Sequence, residues 1–248
     1  MNAIQHHIFA LRISIEQLKI GRNWLYILPA VFIAFLFYGI FSFFDAIEST
    51  SESAADIPLL GSYVSDGISK TVGLFFWITD AFYKFLILTL LSPVNCLLSE
   101  AIDNQVTGAK FDGGIARILR EIWRAIGLLF FSMLLNFVVI GAWYLLAWIT
   151  GFHALDEVIY FVITSFFIGF SFYDFSLERY GVGFFGTIQF GFDNLFYLLI
   201  TGFLFSLIYL IPQLGLIFAP FLITIISTVV YLKLKDKIPH NGLTHSNS

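Results

Sequence analysis

The chain has 248 residues, of which 58% are hydrophobic and only 12% are charged, and its formal net charge is −4 at pH 7. Soluble domains carry about 25% charged residues, so the composition excludes an ordinary water-soluble globular protein. The acidic net charge argues against nucleic acid as a partner, because a polyanion binds basic surfaces. The composition instead predicts a membrane protein whose surroundings are lipid.

Six apolar runs approach the roughly 20 residues that a helix needs to cross the hydrocarbon core. They lack the strict alternation of a transmembrane barrel strand. The sequence therefore predicts an all-α integral membrane protein, a helical bundle with about six hydrophobic segments. We expect a single membrane domain over residues 1–237 and a flexible tail over 238–248. The runs cover residues 24–44, 71–91, 125–149, 157–173, 193–211 and 214–232.

The first run begins beside Gly21, Arg22 and Asn23. An arginine next to the free N–H groups of a helix start is a good oxyanion donor. The preceding tail has no small-residue cleavage site. We therefore interpret the run as a retained helix and not as a signal peptide.

An acidic, serine-rich segment at 45–70 separates the first two runs and is predicted to be an external loop. Inside the second run, Asp80 and Lys84 are four residues apart and share one helix face. Charges at membrane depth are costly. The pair could line a pore or gate, or it could be a mutually neutralised structural pair. We favour the structural pair, because pairing satisfies both groups.

The second run ends in "LLSPVNCLLSEAIDNQVTG", residues 90–108. Pro93 predicts a break in the helix. Asn95 could then cap a second helix, and Gly108 could end it. Residues 92–124 are accordingly predicted to form a cytoplasmic helical region.

A basic rim precedes the third run. Arg117, Arg120 and Arg124 follow a spacing of three and four, so they share one helical face. Such a face could collect anions by focusing them electrostatically. It could also signal topology and contact lipid phosphates, which is the alternative we favour.

The fourth run ends in "FYDFSLERYGVGF", residues 172–184. Asp174 and Glu178 lie on one helix face and Arg179 follows directly, while Gly181 and Gly183 predict a helix stop. An ion-handling site at the membrane edge and an internally paired helix end are equally compatible with this pattern.

The last two runs are joined through "IPQLGLIFAP", residues 211–220, with Pro212 and Pro220 near its ends. Proline disfavours helix in the residue before it, so the segment predicts a tight, re-entrant-like hairpin. A turn at membrane depth is tolerated only when it is buried in protein or faces a wet cavity.

The basic residues predict the orientation in the membrane. Eleven of the thirteen lysines and arginines fall on one side of the predicted spans, so the positive-inside rule places both termini in the cytoplasm. The eleven are Arg12, Lys19, Arg22, Lys110, Arg117, Arg120, Arg124, Arg179, Lys233, Lys235 and Lys237.

The sequence offers no pattern for catalysis or metal binding. It lacks a phosphate loop, a GxSxG sequence and an HExxH sequence. Its single cysteine, Cys96, has no histidine nearby, and the five histidines are scattered. We expect no enzymatic activity, no cofactor and no metal.

Four segments together resemble the CysZ sulfate permease family, also called the etoposide-induced protein domain. "LLSPVNCLLSEAID" is similar to its proline-asparagine signature, and "FYDFSLERYGVGF" resembles its aspartate-aromatic segment. "IPQLGLIFAP" resembles its double-proline hairpin, and "IGRNWLYILPA", residues 20–30, resembles its glycine-arginine helix start. The matches run in family order over residues 20–232. The family-motif residues are Pro93, Asn95, Asp174, Glu178, Arg179, Pro212 and Pro220.

The resemblance implies two long spans plus shorter helical hairpins that penetrate the membrane incompletely. It implies a homo-oligomer in the bacterial inner (cytoplasmic) membrane that takes up sulfate for cysteine synthesis. The anion-binding site that it implies consists of Gly21, Arg22 and Asn23. The chain departs from the family pattern in having one arginine here, Arg22, one place earlier than usual. The predicted function is a transporter or channel for a small inorganic anion, with a non-transporting membrane scaffold as the alternative.

Overall fold

A computed structural model describes residues 2–54, 61–110, 115–211 and 214–238. Within these ranges the regular structure consists of eight α-helices and two 3₁₀ segments, without a strand, which confirms the all-α prediction. The helices are α1 (Ala3–Leu18), α2 (Leu28–Ala54), α3 (Gly61–Thr107), α4 (Ile115–Thr150), α5 (Asp156–Leu177), α6 (Phe184–Asp193), α7 (Leu195–Tyr209) and α8 (Leu214–Leu234).

Five helical stretches of the described chain are long and apolar enough to cross a membrane, by length and composition. A sixth candidate is the pair α6 and α7, which meet at an 89° bend. This number agrees with the prediction of about six hydrophobic segments. The five stretches are Gly21–Ile47, Phe85–Thr107, Ile122–Thr150, Asp156–Tyr180 and Leu214–Leu234.

Helix α3 continues through Pro93, so the predicted break at that residue is wrong. A proline inside a helix removes the hydrogen bond that its N–H would donate to the carbonyl four residues earlier. The helix continues because the residues on both sides of the proline pack into the bundle, with Leu91 and Cys96 buried in its cores. Asn95 is 3% exposed and lies within the helix, so it does not cap a helix start.

Two predicted helix ends coincide with glycines in the left-handed backbone region. Gly108 follows α3 with φ of 73°, and Gly181 has φ of 75° after the 3₁₀ turn Glu178–Tyr180. The amide of Val182 donates to the Leu177 carbonyl at 3.1 Å, as in a Schellman-type helix end. Both stops are confirmed.

The acidic segment 45–70 is helical on either side of residues 55–60, which lie outside the described ranges. Helix α2 continues to Ala54 and α3 begins at Gly61, so much of the predicted loop belongs to the two helices. The predicted helical region 92–124 is divided between the end of α3 and the start of α4. Pro212 and the tail from residue 239 onwards lie outside the described residues.

Helix α8 lies at the centre of the bundle. Almost every side chain from Ala219 to Lys233 is buried, and α1, α3, α5 and α7 pack around this helix. Pro220 lies inside α8, and its carbonyl accepts a hydrogen bond from Thr224 Oγ1 at 2.7 Å. The second arm of the predicted hairpin is therefore the core of the fold.

Helices α5 and α7 cross with their backbones in direct contact. A Cβ atom added at Gly202 would overlap the carbonyl oxygen of Ser165, and one added at Gly169 would overlap that of Leu198. Small residues allow such close approach in membrane helix pairs. The two glycines therefore set the separation of α5 and α7.

Residues before the first run form helix α1 and not a simple tail. A capping box starts it, in which the Asn2 side chain accepts from the Gln5 amide and the Gln5 side chain accepts from the Asn2 amide. The helix packs against α7 and α8 through its buried side chains, among them Ala10 and Ile13. Thus α1 is part of the bundle.

Candidate functional site

The predicted anion-binding residues open the 3₁₀ segment Gly21–Ile27, which connects α1 to α2. The Arg22 side chain is exposed and its guanidinium makes no hydrogen bond or ion pair with the described residues. Asn23 is fully buried. Its amide donates to the Gln17 carbonyl at 2.9 Å and exchanges two hydrogen bonds with the Gln105 side chain at 2.8 and 3.1 Å. Arg22 thus offers open donors, whereas Asn23 fixes the segment to α3.

A second polar region lies inside the bundle, where α3, α8 and the end of α5 meet. The Arg179 and Asp103 side chains are 1% and 0% exposed, and Arg179 Nε lies 3.5 Å from Asp103 Oδ2. Arg179 Nη2 donates to Ser99 Oγ at 2.6 Å, and the Tyr180 hydroxyl donates to Asp103 Oδ1 at 3.1 Å. We name this group the Arg179 cluster; its members are Ser99, Asp103, Ser176, Arg179, Tyr180 and Thr228.

A third polar region, the Arg124 cluster, connects α4, α5 and α6 and consists of Arg124, Asp174, Glu178 and Thr187. Arg124 Nη2 lies 3.0 Å from Asp174 Oδ1 and donates to Thr187 Oγ1 at 3.1 Å. Arg124 Nη1 lies 3.7 Å from Glu178 Oε1. The Asp174 side chain is almost completely buried, whereas Arg124 is partly exposed.

The two clusters divide the motif at residues 172–184. Asp174 and Glu178 turn toward Arg124 on α4, while Arg179 turns toward Asp103 on α3. The charged groups of the motif therefore form ion pairs with neighbouring helices, and Arg179 also donates to Ser176 Oγ within the motif at 3.4 Å. Both guanidinium groups already lie beside protein carboxylates, so their charge is largely compensated before any external oxyanion arrives.

The predicted site residues do not come together at one place. Asp103 and Gln105 are two positions apart on α3, so the Arg179 cluster and the Arg22 region lie on different sides of that helix. Within the basic rim, the Arg120 side chain is exposed, whereas Arg124 belongs to the Arg124 cluster. The side chains of Asp80, Lys84 and Arg117 lie outside the described part of the structure.

Sequence reasoning missed the partners of Arg179, although α3 carries a signal for them. Ser92, Asn95, Ser99 and Asp103 recur at intervals of three or four residues in an otherwise apolar helix, and all four are buried. Such spacing puts them on one face. A polar stripe on a buried helix predicts contacts with other polar groups, since unpaired ones are costly.

His7 connects α1 to the interior of the bundle. Its Nδ1 lies 2.8 Å from the Ala3 carbonyl oxygen, which can only accept, so Nδ1 carries the proton. In the neutral ring Nε2 then accepts from Thr201 Oγ1 at 2.9 Å. Burial lowers the pKa of His7, and the hydrogen bond to Ala3 offsets part of that effect. Burial thus favours the neutral imidazole, and His7 serves as a structural link between α1 and α7.

The helices and their buried polar contacts define the class of this protein: it is an all-α, multi-pass membrane protein with candidate spans packed around α8. Neither a protein-family model nor a curated protein matches the chain. The likeness to the CysZ family therefore depends on the four sequence segments alone.

Proposed function

We propose that this protein is a transporter or channel for a small inorganic anion, with sulfate for cysteine synthesis as the substrate. The main observation in its support is that the Arg22 guanidinium is exposed and makes no ion pair with the described residues. An oxyanion needs charged donors that are not already neutralised. Arg124 and Arg179 both lie beside carboxylates, so they are poorer candidates for an anion-binding site.

The proposal includes the setting of the protein. The positive-inside rule favours cytoplasmic termini in the inner membrane of a bacterium, and the family resemblance favours a homo-oligomer. In this orientation Arg22 lies on the cytoplasmic side, and the exposed Arg120 adds long-range attraction for anions without specificity.

The alternative function is a non-transporting membrane scaffold, and one observation favours it. The arginines of both interior clusters are paired with carboxylates. A scaffold needs such internal pairing, whereas a transporter also needs a polar path.

The substitution Arg22→Ala should abolish saturable sulfate binding to the purified protein. The reason is that it removes the open guanidinium donors while leaving the buried Asn23 contacts intact. Binding of radiolabelled sulfate at equilibrium measures the effect, with expression and elution volume unchanged. Arg12→Ala is the matched control, since Arg12 is also exposed and its loss changes the net charge equally. If the Arg22→Ala variant binds sulfate as the parent protein does, the scaffold alternative is favoured.

Arg120→Ala should only weaken sulfate binding, and the loss should be larger at low salt, where screening is least. A salt series on the same binding measurement tests this expectation. A loss that is complete, or that does not change with salt, would assign Arg120 a direct contact and contradict the proposed division of roles.

Topology can be tested by labelling intact cells with a membrane-impermeant thiol reagent. The charge asymmetry predicts that Ser51→Cys is labelled from outside and Ser246→Cys is not. Cys96 is buried and is the only cysteine of the chain, so background labelling should be low. Labelling of Ser246→Cys alone would reverse the proposed orientation.

A further inference from the structure

An apolar groove of about 380 Å³ lies between α4, α5, α6 and α7. Its α4 wall contributes Phe131, Leu135 and Val139, and its α5 wall includes Val162 and Phe166. This volume falls within the range of about 300–1,000 Å³ that is typical of ligand sites. Unlike those sites, the groove contributes no polar surface for orienting a polar ligand.

The groove opens on the outer surface of the bundle. Val139, Val162 and Phe192 line it and are 40%, 44% and 70% exposed. Its two long walls are the candidate spans Ile122–Thr150 and Asp156–Tyr180. Because these walls cross the membrane, the groove opens toward the hydrocarbon chains of the bilayer, and an apolar chain is the chemistry that fits it.

The Arg120 guanidinium lies on the groove-lining side of α4, nearer the N-terminal end of that helix than the groove. Arg120, Arg124, Phe131 and Leu135 are spaced by four, seven and four residues, which keeps them within about 60° around the helix axis. From Arg120 to Leu135 the helix rises roughly 22 Å, close to the thickness of one leaflet with its headgroups, about 20–22 Å. The Arg120 side chain is exposed and makes no ion pair with the described residues.

We propose that the groove holds one acyl chain of an anionic phospholipid whose phosphate lies at Arg120. The apolar walls accept the chain, and the guanidinium selects a negatively charged headgroup. Nothing in this inference depends on anion transport, and it would stand if the protein were a scaffold. A second copy of the chain could also cover the groove, and the experiment separates the two occupants.

Leu135→Trp should fill the groove, and Leu134→Trp is its matched control because Leu134 is 52% exposed and does not line the groove. Native mass spectrometry of the detergent-purified protein, supplied with phosphatidylglycerol, measures the retained lipid. We expect the parent and Leu134→Trp to retain one phospholipid per protomer and Leu135→Trp to lose it. Val162→Trp, at the exposed mouth of the groove, provides a second blocking variant if Leu135→Trp does not fold.

Equal retention by the blocked and control variants would overturn the proposal. The proposal would also be overturned if the parent protein carried no lipid and its oligomeric mass fell when the groove was blocked. That result would show that the groove is a contact between copies. For the headgroup, Arg120→Gln should reduce the preference for phosphatidylglycerol over phosphatidylcholine about fivefold, which corresponds to ~1 kcal/mol per basic residue. Arg12→Gln should leave that preference unchanged, and equal effects of the two would contradict a specific phosphate contact.

Discussion

Replacing Gly202 with alanine should destabilise the protein by about 3 kcal/mol, the upper end of the usual range for overpacked cores. The new Cβ would overlap the Ser165 carbonyl oxygen, and a backbone atom cannot move away as a flexible side chain can. Helices α5 and α7 would have to separate, which would also disturb the hydrogen bond from the Tyr173 hydroxyl to Thr201.

Gly141→Ala is the matched control, because a Cβ atom at Gly141 in α4 meets nothing within 4 Å. There the same change should stabilise the helix by about 0.5–1 kcal/mol, since alanine loses less backbone entropy than glycine. Heating the purified protein with a fluorogenic thiol dye gives the readout, because buried Cys96 reacts when the bundle opens. Similar thermal unfolding midpoints for the Gly202→Ala and Gly141→Ala variants would contradict the close backbone packing of α5 and α7.

The second large effect is expected at the buried ion pair of the Arg179 cluster. Arg179→Met should cost about 3–5 kcal/mol of stability, because it leaves the Asp103 carboxylate buried without its compensating charge. The double variant Arg179→Met with Asp103→Leu should recover much of the loss, since neither charge then remains. Arg12→Met, at an exposed position of α1, should change stability by less than about 0.5 kcal/mol.

The same thermal dye measurement supports a double-mutant cycle over the two positions. If the single and double variants lose stability additively, the two side chains do not interact energetically, and the 3.5 Å pair is a contact without consequence for folding. Strong non-additivity identifies Arg179 and Asp103 as one unit.

The sequence predicted the features that depend on local chemistry. Long apolar runs predicted the spans, and glycines 108 and 181 predicted the helix ends because a left-handed residue is needed there. Helix α1 was missed although its signal is also local. Asn2 and Gln5 form its capping box, and the apolar residues Ile4, Ile8, Leu11 and Ile15 recur at helical spacing.

The other features that were wrong or missed depend on contacts between distant segments. Pro93 is unfavourable inside an isolated helix, but burial on both sides keeps α3 continuous. Arg179 was recognised as part of a motif, yet its partner Asp103 lies on another helix, and Ser99, which it also contacts, is 80 residues away. Only the relative positions of α3 and α5 bring these groups together, and no local pattern specifies them.

The central position of α8 has a consequence for the order of assembly. Ser99 on α3 and Thr228 on α8 are 129 residues apart in sequence and share a hydrogen bond. At a synthesis rate of about 5–20 residues per second, Ser99 waits roughly 6–26 seconds for Thr228 to be made. Throughout that interval the polar stripe of α3 lacks its partner on α8, so membrane insertion of α3 must proceed on the strength of its apolar residues. The central helix α8 is therefore synthesised after α1 to α7, and the bundle is completed only when α8 packs between the helices that surround it.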